Sequence, residues 1–335
     1  FAAAIALCII CGLLAKMKRP AKREFFAREG CVSVALSWVA LSVMGSLPFL
    51  FSGAISDPID ALFETVSGFT TTGASILPEV ESLPRSILFW RSFTHWIGGM
   101  GVLVFLLILL PMTGGFSMNI MKAESPGPSV SRLVPKVRTT AKILYSIYIG
   151  MTIIQVVLLV LGKMSLFDAL TLTFGTAGTG GFGIRNDSVG SFSSYHQIVT
   201  TIFMILFGIN FNAYYFILLG KAKAAFKIEE VRGYLAIIGV ATLAIAVNIY
   251  HMYGSLAETL RHAAFQMASI ITTTGYTTTD FNQWPEVSRT ILVILMFIGA
   301  CAGSTGGGIK VSRILILLKT VKKEIGQYLH PKNVK

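Results

Sequence analysis

Three runs rich in threonine and glycine hold the residues whose types and spacing offer the clearest chemistry. They read DALFETVSGFTTTG from Asp60, DALTLTFGTAGTG from Asp168 and HAAFQMASIITTTG from His262. A Thr-Thr-Thr-Gly stretch contributes little to an apolar core. Held extended, its backbone can point successive carbonyl oxygens at one axis, where they replace the water around a dehydrated cation. Glycine permits the positive φ and close approach that such a turn needs. Threonine stiffens the loop through its branched Cβ and adds a hydroxyl. A monovalent cation held in this way needs no carboxylate.

Two other glycine patterns compete. Gly178, Gly180 and Gly183 have the G-x-G-x-x-G spacing of a dinucleotide loop. That fingerprint requires a strand before it and a helix opening at its glycines. Residues 166–177 read instead as a half-helix between apolar segments, so a membrane enzyme binding a nucleotide at Gly178–Gly183 is the weaker reading. Gly303-Ser304-Thr305-Gly306-Gly307-Gly308-Ile309-Lys310 has the outline of a phosphate-binding loop. It fails in detail, because Ile309 stands where lysine must directly follow the second glycine.

The elements that position these runs are membrane helices. The chain is 53% hydrophobic and 13% charged, where a soluble domain carries about 25% charged residues. Charge-free runs such as Cys31–Ser56, Trp96–Met121 and Ser191–Gly220 each exceed the roughly 20 residues that cross a bilayer. The net charge of +12 gathers in Lys16–Arg28, Lys122–Lys142, Lys221–Arg232 and Lys310–Lys335. The segments between them hold most of the acids. That asymmetry marks the basic loops as cytoplasmic and argues against nucleic acid as a partner. The mildly acidic opposite side suits a mouth that attracts cations. No metal-ligand spacing links the four cysteines, and no nucleophile–base pair or paired acids stand out. We expect no prosthetic or covalent cofactor, no metal site beyond the cation loops, and no enzymatic activity.

Between the basic segments one plan recurs three times: crossing helix, short half-helix, Gly/Thr run, crossing helix. The half-helices open alike, with Asp57-Pro58 before Asp60, Ser165 before Asp168 and Ser255 before Glu258. A capping residue followed three positions later by an acid marks a helix N-terminus, and Pro58 suits the first helical position. The expected organisation is an N-terminal helix end and basic loop over 1–30, then a first repeat over 31–121 and a linker over 122–138. A second repeat over 139–220, a linker over 221–232, a third repeat over 233–320 and a tail over 321–335 complete it. The three consecutive glycines of Gly306–Gly308 cost roughly 1 kcal/mol each in a helix interior. The apolar stretch Ile291–Leu318 should therefore break there.

The runs Gly68–Ala74 and Ile271–Thr277, with the stretch Cys301–Arg313, resemble the pore loops and gate of the Trk/Ktr/HKT superfamily of potassium transporters. The whole chain resembles its TrkH-type membrane subunit, including Ala123-Glu124-Ser125-Pro126-Gly127-Pro128. The resemblance implies an all-α polytopic membrane protein with pseudo-fourfold helix–pore-loop–helix repeats around one path for K⁺, in the bacterial inner membrane. Three repeats are present here, and a fourth is expected beyond Lys335. By motif, Thr71, Thr72 and Gly73 would coordinate potassium from the first loop. Gly178, Thr179 and Gly180 would do so from the second, and Thr273, Thr274 and Gly275 from the third. Gly303, Ser304, Thr305, Gly306, Gly307, Gly308 and Lys310 would form an intramembrane gate. Homodimerisation and a cytosolic nucleotide-binding regulatory subunit of the TrkA type are implied in the same way, with membrane lipid around the helices. One glycine per loop leaves room for a sodium-permeable or sodium-coupled relative as the alternative.

Outside the loops, His95 reads as a partnered interhelical histidine, and Gly98, Gly99 and Gly101 as sites of close helix packing. Asn210 and Asn212 read as interhelical hydrogen-bonding groups. Arg185 and Asp187 are expected at the outer mouth.

Overall fold

The computed structural model describes residues 1–17, 27–101 and 137–329, and the described residues form helices and no strand. The Trp96–Met121 run beyond Gly101, the motif Ala123–Pro128, most of the linker that follows and the last six residues lie outside the described residues. The chain separates into two compact units, one up to Ser188 and one from Val189. The division falls inside the second expected repeat.

The first unit contains α1 (Ala2–Met17), α2 (Ala27–Ser52), α3 (Pro58–Phe69), α4 (Arg85–Gly99), α5 (Val137–Leu161) and α6 (Leu166–Ala177). The half-helix α3 packs between α2 and α4, and the half-helix α6 between α4 and α5. The second unit contains α7 (Ser194–Phe207), α8 (Phe211–Leu218), α9 (Ala222–Lys227), α10 (Glu229–Ile249), α11 (Leu256–Ile271), α12 (Glu286–Ile298) and α13 (Val311–Leu329). The third half-helix, α11, is surrounded by α7, α10 and α12. Ala61, Ala169 and Ala263 lie at matching places in the three half-helices and are all fully buried. With only a methyl group at that position, the flanking helices can close on each half-helix.

Cys31–Ser52, Ala141–Leu161 and Glu229–Met252 are long and apolar enough to cross a membrane. They are the first helices of the three repeats. The second helices α4, α7 and α12 have 15, 14 and 13 residues. At 1.5 Å per residue each spans about 20 Å, short of a bilayer core of about 30 Å. The expected uninterrupted crossing within Ser191–Gly220 is corrected here, because α7 and α8 meet at an angle of 93°. Any Cβ at Gly208 would collide with the Tyr234 hydroxyl, and Asn210 caps α8 by accepting from Asn212 N at 2.9 Å. The helix in Ile291–Leu318 breaks as expected, over Gly299–Lys310. Gly299, Gly303 and Gly308 take positive φ there.

Candidate functional site

Each half-helix begins with the cap its sequence announced. The Asp57 carboxylate accepts from Ile59 N and Asp60 N at 2.7 and 3.1 Å. Ser165 Oγ accepts from Asp168 N at 3.1 Å, and Ser255 Oγ from Glu258 N at 3.2 Å. Each half-helix also ends identically. Thr72 N donates to Ser67 O, Gly180 N to Gly175 O and Thr274 N to Ser269 O, all at 2.9 Å. One residue earlier, Thr71 N reaches Gly68 O, Thr179 N reaches Thr176 O and Thr273 N reaches Ile270 O, at 3.0–3.1 Å. This is the Schellman ending, whose left-handed position glycine normally fills. Here it holds Thr71, Thr179 and Thr273, at φ of 55°, 53° and 57°. A β-branched residue in that region is strained, by about 1–2 kcal/mol, and three copies of the strain mark the loops as special. The negative end of each half-helix dipole lies at its loop, which favours a cation there.

The positive-φ glycine two positions further on is Gly73, Gly181 or Gly275. Backbone conformation therefore equates Thr71-Thr72-Gly73 and Thr273-Thr274-Gly275 with Thr179-Gly180-Gly181. The motif match at Gly178-Thr179-Gly180 is one residue out of this register. Gly178 is instead the cap residue of α6, matching Thr70 and Thr272. The same geometry opposes a dinucleotide loop, since Gly178 closes a helix where that fold would have glycines open one.

The loops are braced in two ways. In the first, the Thr70 and Thr72 hydroxyls meet at 2.8 Å, and in the third, those of Thr272 and Thr274 meet at 2.7 Å. The second loop has Gly178 and Gly180 at these two positions, and the fully buried His95 occupies the vacated space. A Cβ on Gly178 would strike the His95 carbonyl, and one on Gly180 its imidazole. The ring stacks on Phe182 at 4.1 Å, and Nδ1 accepts from Phe182 N at 3.4 Å. Next to it, Gly98 lies against the Phe69 carbonyl, and Gly99 against Gly178. A Cβ on Gly73 would collide with the Gly180 carbonyl, so the first and second loops touch backbone to backbone.

Sequence reasoning passed over a buried ion pair that supports these loops. Arg91 Nε and Glu64 Oε1 lie 2.7 Å apart, both almost wholly buried. Glu64 also accepts from Ser75 Oγ at 3.0 and 3.1 Å and from Ile76 N at 3.1 Å. Arg91 donates to Gly183 O at 3.1 Å, and its guanidinium covers the Phe182 ring at 4.2 Å. The pair thus ties α3 and α4 to the segments that follow the first and second loops. Removing one partner of such a pair strands a buried charge, at about 3–5 kcal/mol. The available signal was an acid, Glu64, in the middle of α3 and a base, Arg91, in the middle of α4, each inside an otherwise uncharged stretch of its helix. Past the second loop, Arg185 and Asp187 flank Asn186, whose Oδ1 accepts from Val80 N at 3.0 Å.

In the second unit, the glycine-rich break lies against the third loop. Gly307 N donates to Thr273 Oγ1 at 2.7 Å, and a Cβ on Gly306 would come within 3.0 Å of Thr272 O. Thr305 Oγ1 donates to Phe207 O at 3.2 Å, Ser304 Oγ to Cys301 O at 2.6 Å and Lys310 Nζ to Gly306 O. Gly303 O accepts from Phe211 N at 2.9 Å, and Gly308 packs on Gly299. Asn210 Nδ2 reaches Glu230 at 3.4 Å, the interhelical role expected of it. Among the described residues, no group of three or more His, Cys, Asp or Glu is placed to hold a metal ion. Backbone oxygen, rather than a cluster of such side chains, is the donor that suits a weakly hydrated monovalent cation.

Half-helices that end in strained Thr/Gly loops and pack against apolar spans define a pore-loop membrane protein. Irregular backbone at membrane depth persists only where protein buries it or water lines it. The sequence matches the TrkH family, described as a cation transport protein, over residues 1–335. The chain belongs to that family. It is 38% identical to the Trk system potassium uptake protein TrkH of Salmonella typhimurium over 324 residues, 94% of this chain and 67% of that protein. Identity to the Vibrio parahaemolyticus protein of the same name is 37%, over 97% of this chain and 69% of that one. An uncharacterized cation transporter of Methanocaldococcus jannaschii is 34% identical, with 90% and 61% covered. The crystal structure of the potassium transporter TrkH from Vibrio parahaemolyticus superposes with a TM-score of 0.86 at 34% identity, covering all of this chain and 70% of that one.

Proposed function

We propose that this chain takes up potassium across the bacterial inner membrane, through a path lined by the carbonyl oxygens of its three pore loops. The observation that carries the reading is the threefold helix ending, with threonine in the left-handed position and a positive-φ glycine two residues on. Strain repeated at three matching places is retained where a fixed backbone geometry does work. In this reading Thr71, Thr72 and Gly73, then Thr179, Gly180 and Gly181, then Thr273, Thr274 and Gly275 present carbonyls to the ion, with Gly178 supporting the second loop. The repeats are those over 31–121, 139–220 and 233–320. The Gly303–Gly308 segment with Lys310 acts as a gate against the third loop, supported by the Gly307–Thr273 hydrogen bond. The chain performs no catalytic step and needs no prosthetic group.

The relatives' names place them in a Trk system, which supports a protein of more than one component. We extend this to a homodimer whose basic cytoplasmic segments dock a nucleotide-binding regulatory subunit. The test is rubidium uptake by the full-length gene product in bacteria lacking their own potassium uptake. Gly73→Asp puts a side chain into the Gly180 carbonyl and should abolish uptake at low external potassium. Uptake at the unsubstituted rate would reject the loop assignment.

A further inference from the structure

We propose that Glu230 is the staple of the glycine-rich loop, the positioning residue whose carboxylate sets how often that loop leaves its closed position. The inference rests on the gate reading above and adds the group that holds the gate. Glu230 lies in the first turn of α10, where the basic segment Lys221–Arg232 enters the membrane helix. An acid there would ordinarily face water or its own helix N-terminus. This one turns to the neighbouring loop. Its Oε1 accepts from Ala302 N at 2.6 Å and from Ser312 N at 3.2 Å, and its Oε2 accepts from Asn210 Nδ2 at 3.4 Å.

These partners sit where control is available. Ala302 is where the chain enters the loop, and Ser312 is where it leaves, so one carboxylate oxygen spans the neck. Ser312 belongs to the first turn of α13, whose N–H groups have no partner within the helix and favour a negative charge. Asn210 caps α8 through its Oδ1, and the next residue, Phe211, donates its N–H to Gly303 O at 2.9 Å. Glu230 thereby fastens the loop to the break between α7 and α8. Between the two ends, Gly303, Gly306, Gly307 and Gly308 give the chain much freedom to lose on being held still. Two backbone closures, Val311 N to Ala300 O and Ile309 N to Phe297 O, are neutral. The Glu230 bonds carry a full charge and are the stronger kind. A carboxylate at the mouth of the basic segment is also placed to feel anything that binds there.

The experiment uses the full-length gene product in proteoliposomes, with Cys8, Cys11, Cys31 and Cys301 each replaced by Ala and Ser304→Cys as the reporter of loop exposure. An impermeant thiol reagent applied from the side of the basic loops reads the labelling rate, and rubidium flux is recorded in parallel. Glu230→Ala, which removes three hydrogen bonds to the carboxylate, should raise both by at least about tenfold, the effect of losing even one charge-assisted hydrogen bond. Glu230→Gln, which keeps an acceptor without the charge, should fall between. Asn210→Ala spares the Oε1 contacts and should give a smaller rise. It also keeps the test open if Glu230→Ala fails to fold. The rubidium-to-sodium flux ratio should stay constant, since none of the Glu230 hydrogen bonds goes to a pore loop. Labelling that is unchanged in folded Glu230→Ala and Asn210→Ala protein overturns the staple. Labelling that rises without flux supports the staple and removes the gate role from the loop. Absence of flux in unsubstituted protein rejects potassium uptake and leaves the labelling result standing.

Discussion

At the scale of single residues, the second pore loop solves the bracing problem with a partner from outside. The first and third loops carry threonine pairs whose hydroxyls meet, and the second has Gly178 and Gly180 with His95 in the space. Gly180→Ala should therefore force Cβ into the imidazole and reduce uptake by at least tenfold. Adding His95→Ala should restore part of it, because the ring that obstructs the methyl group is gone. If the double variant transports no better than Gly180→Ala, the packing account of the second loop fails. The threonine pairs and their loops were legible as motifs. The role of His95 was not, because its partners lie 83 and 85 positions along the chain and no local pattern connects them. The register of the second loop was legible in principle. The run from Asp168 to Gly180 is one residue shorter than the run from Asp60 to Gly73, and counting on to Gly181 removes the mismatch. Glu64, Arg91 and Glu230 escaped for the same reason as His95, since each acts through a residue distant in sequence.

At the scale of elements, capping chemistry was readable because it is local. Asp57, Ser165 and Ser255 each bond within three residues, and the sequence contains the whole interaction. Ser255→Ala should cost about 1 kcal/mol of stability, the usual worth of a cap, measured by unfolding of the purified protein in detergent. Its ion discrimination should be unchanged, since the cap lies at the far end of α11 from the loop. A loss of discrimination without a loss of stability would contradict that division of labour. The shortness of α4, α7 and α12 was less readable. Hydropathy sees apolar residues and not their backbone, so Ser191–Gly220 passes for one span although it bends by 93°. The glycine triplet announced the break after α12, whereas Gly208 announces one only through its contact with Tyr234.

At the scale of the whole molecule, composition and the placement of charge were enough to define a polytopic helical membrane protein. Family membership and the likeness to a solved TrkH structure agree with that reading. The central claim is that three loops of one backbone geometry select the ion. Gly275 tests it most cleanly. It sits at φ +87° with no atom within 4 Å of an added Cβ, so Gly275→Ala strains the backbone by about 1–2 kcal/mol and touches nothing. The measurement is current through the full-length gene product in planar bilayers as potassium is replaced by sodium, for the unsubstituted protein and for Gly275→Ala. The account predicts that potassium carries more current than sodium, and that the substitution narrows the difference while the protein stays folded. Equal currents for the two ions in the unsubstituted protein, or a ratio that Gly275→Ala leaves unmoved, would contradict it.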